Sequence, residues 1–209
     1  MVSMTGKRMI WLGLATVMIA TAAFAYAGGA GWLLVNWKVR SDFPTVPRLG
    51  TKEVAAWLSD TKRARPVLLD VRTKPEFEVS HLHGAQRIEP DSAADAVNLP
   101  RDKPIVTYCS VGYRSGAFAK KLQDAGYTNV QNMSGSIFEW ANEGRPVERN
   151  GERVQKVHPY NSTWGKLLKS EFRASVPAGG SGMRRRLSVG RTICFSFGRD
   201  GCLSGLKWV

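Results

Sequence analysis

Ile105-Val106-Thr107-Tyr108-Cys109-Ser110-Val111-Gly112-Tyr113-Arg114 is the stretch that decides the fold of this 209-residue chain. Its first four residues are β-branched or aromatic, the composition of a buried strand. Gly112 permits a tight turn. From 115 to 125, Phe118, Leu122 and Ala125 recur on one helical face, and Gly126 supplies the stop. A strand that turns at once into a helix is the unit of a parallel sheet. Ligands of such sheets sit beyond the carboxyl ends of the strands, and Cys109 stands at such an end.

Working outward, helical and strand patterns alternate. Thr51 is a candidate cap for a helix through Val54, Ala55, Trp57 and Leu58. Val67-Leu68-Leu69-Asp70-Val71 is a second apolar strand. Pro75-Glu76 opens a helix, with proline and a carboxylate in the first turn. A short helix is expected over 91–98, a strand over 128–131 and a helix over 137–142. The alternation predicts an α/β fold with a parallel sheet of about five strands flanked by helices.

The loop 109–114 has the makings of an anion cradle. A strand-to-helix turn aims successive backbone N–H groups into one concavity, and the helix start adds unpaired donors and the positive end of its dipole. Arg114 adds a permanently charged fork of donors. A free thiol is only a few per cent thiolate at neutral pH, and such a cradle favours the anion. Cys109 is therefore the candidate nucleophile and Arg114 its cationic partner. Ser110, Val111, Gly112 and Tyr113 are the residues that shape the binding pocket. A buried apolar cysteine is the competing reading; the glycine, arginine and helix start beside it argue for chemistry.

The loop resembles the six-residue active loop of rhodanese-like domains, which begins with the sulfur-carrying cysteine and often ends in arginine. Leu69-Asp70-Val71-Arg72 with Glu76-Phe77 resembles that family's first strand and following turn. The run from Phe77 through His81 to Gly84-Ala85 resembles its signature, with His83 where proline is usual. Gly126-Tyr127-Thr128-Asn129-Val130 and Gly135-Ser136-Ile137-Phe138-Glu139-Trp140 also look familial. The resemblance covers residues 51–150, and 151–177 is similar to an extension of some bacterial members. It implies a sulfurtransferase that moves a sulfane sulfur from thiosulfate or a similar donor, through a persulfide on Cys109, to a thiol or cyanide. It implies structural support from Asp70, Arg72 and His81, no cofactor and no metal. Trp140 is expected in the core and His83 at the surface.

Two rivals remain at this level. Phosphatases and arsenate reductases of related fold also set a cysteine in a backbone cradle, but with a loop one residue longer; the six positions from Cys109 to Arg114 favour sulfur. A non-catalytic binding module is the other, and the presence of the cysteine argues against it.

The ends of the chain have a different texture. The formal net charge is +13, and much of it is terminal. Residues 178–209 carry Arg184, Arg185, Arg186, Arg191, Arg199 and Lys207 against Asp200. That segment opens on Ala-Gly-Gly-Ser-Gly and reads as a flexible basic tail. No nucleic-acid motif accompanies the charge, so nucleic acid is not an expected partner. Cys109, Cys194 and Cys202 do not pair into a disulfide framework or a zinc pattern.

At the other end, Lys7-Arg8 closes a basic n-region, 1–8. The segment 9–37 is free of formal charge and would extend about 43 Å as a helix, against a bilayer core of ~30 Å. Trp11, Trp32 and Trp37 lie near its ends. A retained transmembrane anchor is preferred. A cleaved signal peptide, with Ala23-Phe24-Ala25 as the cleavage site, is the alternative. Either places the domain outside the cytoplasm, in the periplasm or secreted. Residues 38–50 then read as a linker, and the protein as a monomer acting on a small-molecule sulfur donor and a thiol acceptor.

Overall fold

The structure is a computed structural model that describes residues 29–175 together with 11, 13–14, 16–19 and 21–22. The elements are α1 (Gly29–Asp42), β1 (Arg48–Leu49), α2 (Thr51–Ser59), β2 (Val67–Asp70), α3 (Lys74–Val79), β3 (Gln86–Arg87), β4 (Ile105–Tyr108), α4 (Tyr113–Asp124), β5 (Val130–Met133), α5 (Ser136–Asn142), β6 (Val147–Arg149) and β7 (Glu152–Val154), with 3-10 turns at Ala94–Ala96, Trp164–Leu167 and Ser170–Phe172. The expected α/β architecture is present. Five parallel strands lie in the order β1-β5-β4-β2-β3, and β6 and β7 form a separate antiparallel hairpin.

Side chains alternate across a strand, and the sheet divides the core accordingly. Leu68, Val106 and Tyr108 join a cluster with Met133, Ile137 and Phe138 on one face. Leu69, Val71 and Ile105 join Phe118, Leu122 and Val130 on the other. Each fully buried aliphatic or phenyl side chain contributes roughly 1.5–3 kcal/mol. The apolar stripe of α4 thus clamps that helix against the strand that delivers Cys109.

Local boundaries differ from the expectations in instructive ways. Helix α4 begins at Tyr113 rather than 115, because Gly112 takes φ +106° and completes the turn in one residue. Strand β5 is displaced toward its carboxyl end because Asn132 and Met133 pair with Arg48 and Leu49 of β1. The helix expected over 91–98 is reduced to the 3-10 turn Ala94–Ala96, where an extended Ala93 breaks the ladder. Gly50, not Thr51, precedes α2; its N–H donates to Glu53 Oε2 at 2.6 Å, and the Thr51 hydroxyl donates to Glu143 Oε2 at 2.8 Å.

The terminal expectations need larger corrections. Residues 38–50 are not a linker: Lys38 to Asp42 complete α1, Val46 is buried, and Arg48–Leu49 is an edge strand of the sheet. Among the described residues no helix is long and apolar enough to cross a membrane. The expected span 9–37 lies partly outside those residues. Its last part belongs to α1, a 14-residue helix whose Val35 and Val39 are buried in the domain core. The described part of the extension 151–177 also packs: Val157 and Leu168 are buried, and Val157 bridges to Arg173. The n-region 1–8, the tail 178–209, Cys194 and Cys202 lie outside the described residues.

Candidate active site

Strand β4 is the middle strand of the sheet, and its end places Cys109 between two helices that start beside it. The Cys109 N–H donates to Ser136 Oγ at 3.2 Å, and that hydroxyl donates to the Met133 carbonyl at 2.9 Å. The Cys109 and Ser110 carbonyls accept from the Ile137 and Phe138 N–H groups of α5, at 3.2 and 3.1 Å. Ser136 holds φ +49° to do this, a left-handed conformation that costs a non-glycine residue about 1 kcal/mol or more. The strain is fixed by the bonds on either side of it.

The rest of the loop is tied down from β5 and α4. Asn132 Nδ2 donates to the Gly112 carbonyl at 2.9 Å, and Ser115 Oγ donates to Asn132 Oδ1 at 2.7 Å. A Cβ on Gly112 would stand 3.4 Å from the Met133 carbonyl oxygen. Glycine is required there both by its positive φ and by this close approach. The Gly112 N–H then points back at Cys109 Sγ, 3.2 Å away. The first-turn amides of α4 have no intrahelical acceptors. The thiol therefore sits against one N–H donor and at the positive end of a twelve-residue helix.

Arg114 does not present a free fork to the loop. Its Nη1 and Nη2 donate to Glu76 Oε2 and Oε1 at 2.8 and 2.7 Å, and Nη2 also donates to Ser110 Oγ at 3.0 Å. Ser110 Oγ in turn donates to Glu76 Oε1 at 2.9 Å. Burial pushes the Glu76 carboxyl up. The hydrogen bonds and charge of Arg114, helped by Arg72 and Thr73, outweigh it and hold Glu76 at about 2. The Arg114–Glu76 pair is ionised at neutral pH, and it braces the loop from the start of α3.

The loop is the floor of a cavity of about 790 Å³. Cys109 is only 1% exposed, at its base. Leu34, Val35 and Trp37 of α1 form one wall, and Tyr160, Trp164 and Leu167 form the other. A Cβ on Gly31 would lie 2.7 Å from Leu167 Cδ2, so the two walls meet where α1 has no side chain. Tyr113 is 40% exposed; its hydroxyl donates to Asp42 Oδ2 at 2.7 Å and ties the loop to the end of α1. The Tyr160 ring lies 4.7 Å below the Arg114 guanidinium.

This geometry can be set beside known proteins. Residues 51–143 match the family model of the rhodanese-like domain. These residues form a rhodanese-like domain. The chain is 31% identical over 98 residues to the probable adenylyltransferase/sulfurtransferase MoeZ of Mycobacterium tuberculosis, a match covering 46% of this chain and 24% of that protein. It is 33% identical over 127 residues to the tRNA uridine(34) hydroxylase of Erwinia tasmaniensis, covering 51% and 35%. The chain thus spans about a quarter to a third of the length of these curated relatives. Among solved structures, a rhodanese-related protein of Thermoplasma volcanium superposes with a TM-score of 0.43 and 25% identity, covering 49% of this chain and 97% of that one.

Within the rhodanese-like domain, Asp70, Arg72 and His81 are not among the residues that line the cavity. Arg72 and Asp70 are fully buried and paired, Nε to Oδ1 at 2.8 Å and Nη2 to Oδ2 at 2.6 Å, and Arg72 Nη2 also donates to the Ser80 carbonyl at 2.6 Å. The pair joins the end of β2 to the loop after α3. His81 stacks on Phe77 with centroids 3.9 Å apart, and its backbone bonds both ways with Glu148 of β6. His83 is largely exposed, and its Nδ1 lies 2.6 Å from Glu148 Oε2. Trp140 is buried.

Sequence reading missed Glu76, Asn132 and Ser136 as parts of the site. Glu76 carried a signal, but it was that of a helix-opening carboxylate, a role it also fills by accepting from the Thr73 N–H at 3.1 Å. Ser136 lay in a run that resembles the family but was given no role there, and Asn132 carried no signal. Among the described residues no group of histidine, cysteine, aspartate and glutamate is placed to hold a metal.

Proposed function

We propose that this chain is a sulfurtransferase that moves a sulfane sulfur from thiosulfate or a similar donor to a thiol or cyanide. The observation that carries this reading is Cys109 Sγ at the base of an open cavity, 3.2 Å from the Gly112 N–H and at the start of α4. The Cys109 thiolate attacks the outer sulfur of thiosulfate. The donor S–S bond breaks, and sulfite departs with the electron pair. Cys109 now carries a persulfide whose terminal sulfur faces the loop amides. A thiolate or cyanide attacks that sulfur, and Cys109 leaves as the thiolate. Arg114 works mainly by positioning: bound to Glu76 and Ser110, it fixes the loop's curvature and lends a partly neutralised cation to the incoming dianion.

The test is direct. The full chain incubated with thiosulfate should gain the mass of one sulfur on Cys109 and release one equivalent of sulfite. Cyanide should then remove the sulfur as thiocyanate. A mass unchanged by thiosulfate and by a small-molecule persulfide would sink the reading.

The uncharged run 9–37 supports attachment of the chain to a membrane, with the domain outside the cytoplasm. Trp11, Val17, Met18, Ile19 and Leu33 are all exposed, as a lipid-facing set would be. The chain is taken to act there as a monomer, without nucleic acid. Protease added to intact cells should cleave the domain; protection until lysis would reverse the orientation.

A further inference from the structure

We infer that the acceptor served by Cys109 is a thiol on a slim, unbranched apolar body that ends in an anionic group. The inference rests on the sulfurtransferase reading and specifies its second substrate.

Size is the first ground. Thiosulfate and cyanide are molecules of a few atoms. A cavity of about 790 Å³ falls in the range of ~300–1,000 Å³ that encloses ligands of tens of atoms. Nothing in the transfer from thiosulfate to cyanide needs that space.

Lining is the second ground. Above the loop the walls are Leu34, Val35, Trp37, Trp164 and Leu167. Leu34, Trp37 and Trp164 remain substantially exposed in spite of their size. An apolar body seated between α1 and the turn Trp164–Leu167 would remove that surface from water, a gain that grows with every methylene buried. The base of the cavity selects for shape. Sγ belongs to a residue only 1% exposed, so the acceptor thiol must be carried on a chain narrow enough to enter the base of the cavity and meet the sulfur that Sγ carries.

Charge is the third ground. Among the described residues the cavity is lined by Lys38, Arg114 and Lys166 and by no acidic residue. Lys38 is paired with Asp42, and Arg114 with Glu76. Lys166 forms no salt bridge among the described residues, which leaves one cation at the wall to receive an anionic end.

The step balances without an added oxidant or reductant. The acceptor thiol loses its proton to solvent, and its sulfur attacks the outer sulfur of the Cys109 persulfide. A new S–S bond forms as the persulfide bond breaks. Cys109 departs with the electron pair, and the product is the acceptor's own persulfide.

The experiment uses the full chain, thiosulfate as donor and ω-mercaptoalkanoates of three to about eleven carbons as acceptors. Loading of Cys109 by thiosulfate is first checked by intact mass. kcat/KM for the acceptor should then rise about threefold to fourfold per methylene until the cavity is filled. An aminoalkanethiol of the same length should be several-fold poorer. In Leu34→Asp and in Trp164→Ser the rise per methylene should flatten. Loading without any dependence on chain length would overturn this inference and leave the sulfurtransferase reading standing. Absence of loading would remove both. A slope that survives in both variants would show that this cavity does not hold the chain, and equal use of amine and carboxylate would overturn the anionic end.

Discussion

The floor and the walls of the cavity are built in different ways. The floor is six consecutive residues, Cys109 to Arg114, held by short bonds to Ser136, Asn132 and Glu76. The walls are α1 and the turn Trp164–Leu167, from opposite ends of the described chain, and they meet through Gly31 and Leu167. The floor is a backbone turn held by hydrogen bonds from three sides, left-handed at Gly112 and bonded to the strained Ser136 beside it. The walls are apolar contacts with a residual exposed surface. A nucleophile has to be held to a fraction of an ångström, and hydrogen bonds with defined angles do that. An apolar body is recognised by area, for which loose walls suffice.

The contrast is broken most severely at the nucleophile. Cys109→Ser should abolish sulfur transfer while leaving the melting temperature close to that of the parent, because an alcohol is far less nucleophilic and forms no persulfide. Retained transfer in a cyanide assay would remove the floor from the mechanism.

Gly112→Ala should come next. The new Cβ meets a carbonyl oxygen at 3.4 Å with φ at +106°, a strain of about 1–3 kcal/mol. Movement of the N–H away from Sγ should lower kcat/KM about 10–100-fold. Parent-like rates together with parent-like stability in urea titrations would mean that the floor has slack.

Glu76→Gln probes the brace under the floor, and its effect depends on pH. The folded carboxyl is held at about 2, below its ordinary 4.5. The ionised brace is therefore intact above pH 4.5 and is lost as the pH falls towards 2. At pH 7 the variant should lose about 1–3 kcal/mol. That gap from the parent should close between pH 4.5 and 2 when thermal melts are compared. A gap independent of pH would show that Glu76 acts through packing.

The smallest effect belongs to the wall. Gly31→Ala adds a Cβ 2.7 Å from a terminal methyl of Leu167, a flexible neighbour, while alanine in a helix gains about 0.5–1 kcal/mol over glycine. The net change in urea stability should stay within about 1 kcal/mol. A loss above about 2 kcal/mol would show the wall to be as closely fitted as the floor.

The strand-turn-helix at 105–124 was legible because each of its signals acts over a few residues. β-Branched side chains favour the strand, Gly112 allows the turn, and Phe118, Leu122 and Ala125 repeat at helical spacing. A supporting role for Asp70 and Arg72 came from the family resemblance and not from their spacing; the structure pairs the two side chains with each other. The apolar run at 9–37 was legible only as apolar. Composition does not say whether a helix faces lipid or protein, and Val35 and Val39 of α1 turn out to face the core of the domain.

The sequence by itself determined the parallel α/β sheet and the position of Cys109 at a strand end, because local backbone preference and side-chain periodicity suffice for these; the six-position span from Cys109 to Arg114 came from the family resemblance. Tertiary structure alone decided that Arg114 is spent on Glu76, 38 positions away, and that the Tyr113 hydroxyl reaches Asp42, 71 positions away. It also decided that the presumed linker and the C-terminal extension help to complete the sheet and the cavity. Contacts between distant residues form only when the core packs and brings their elements together, and no short pattern of residue types encodes which of them will meet.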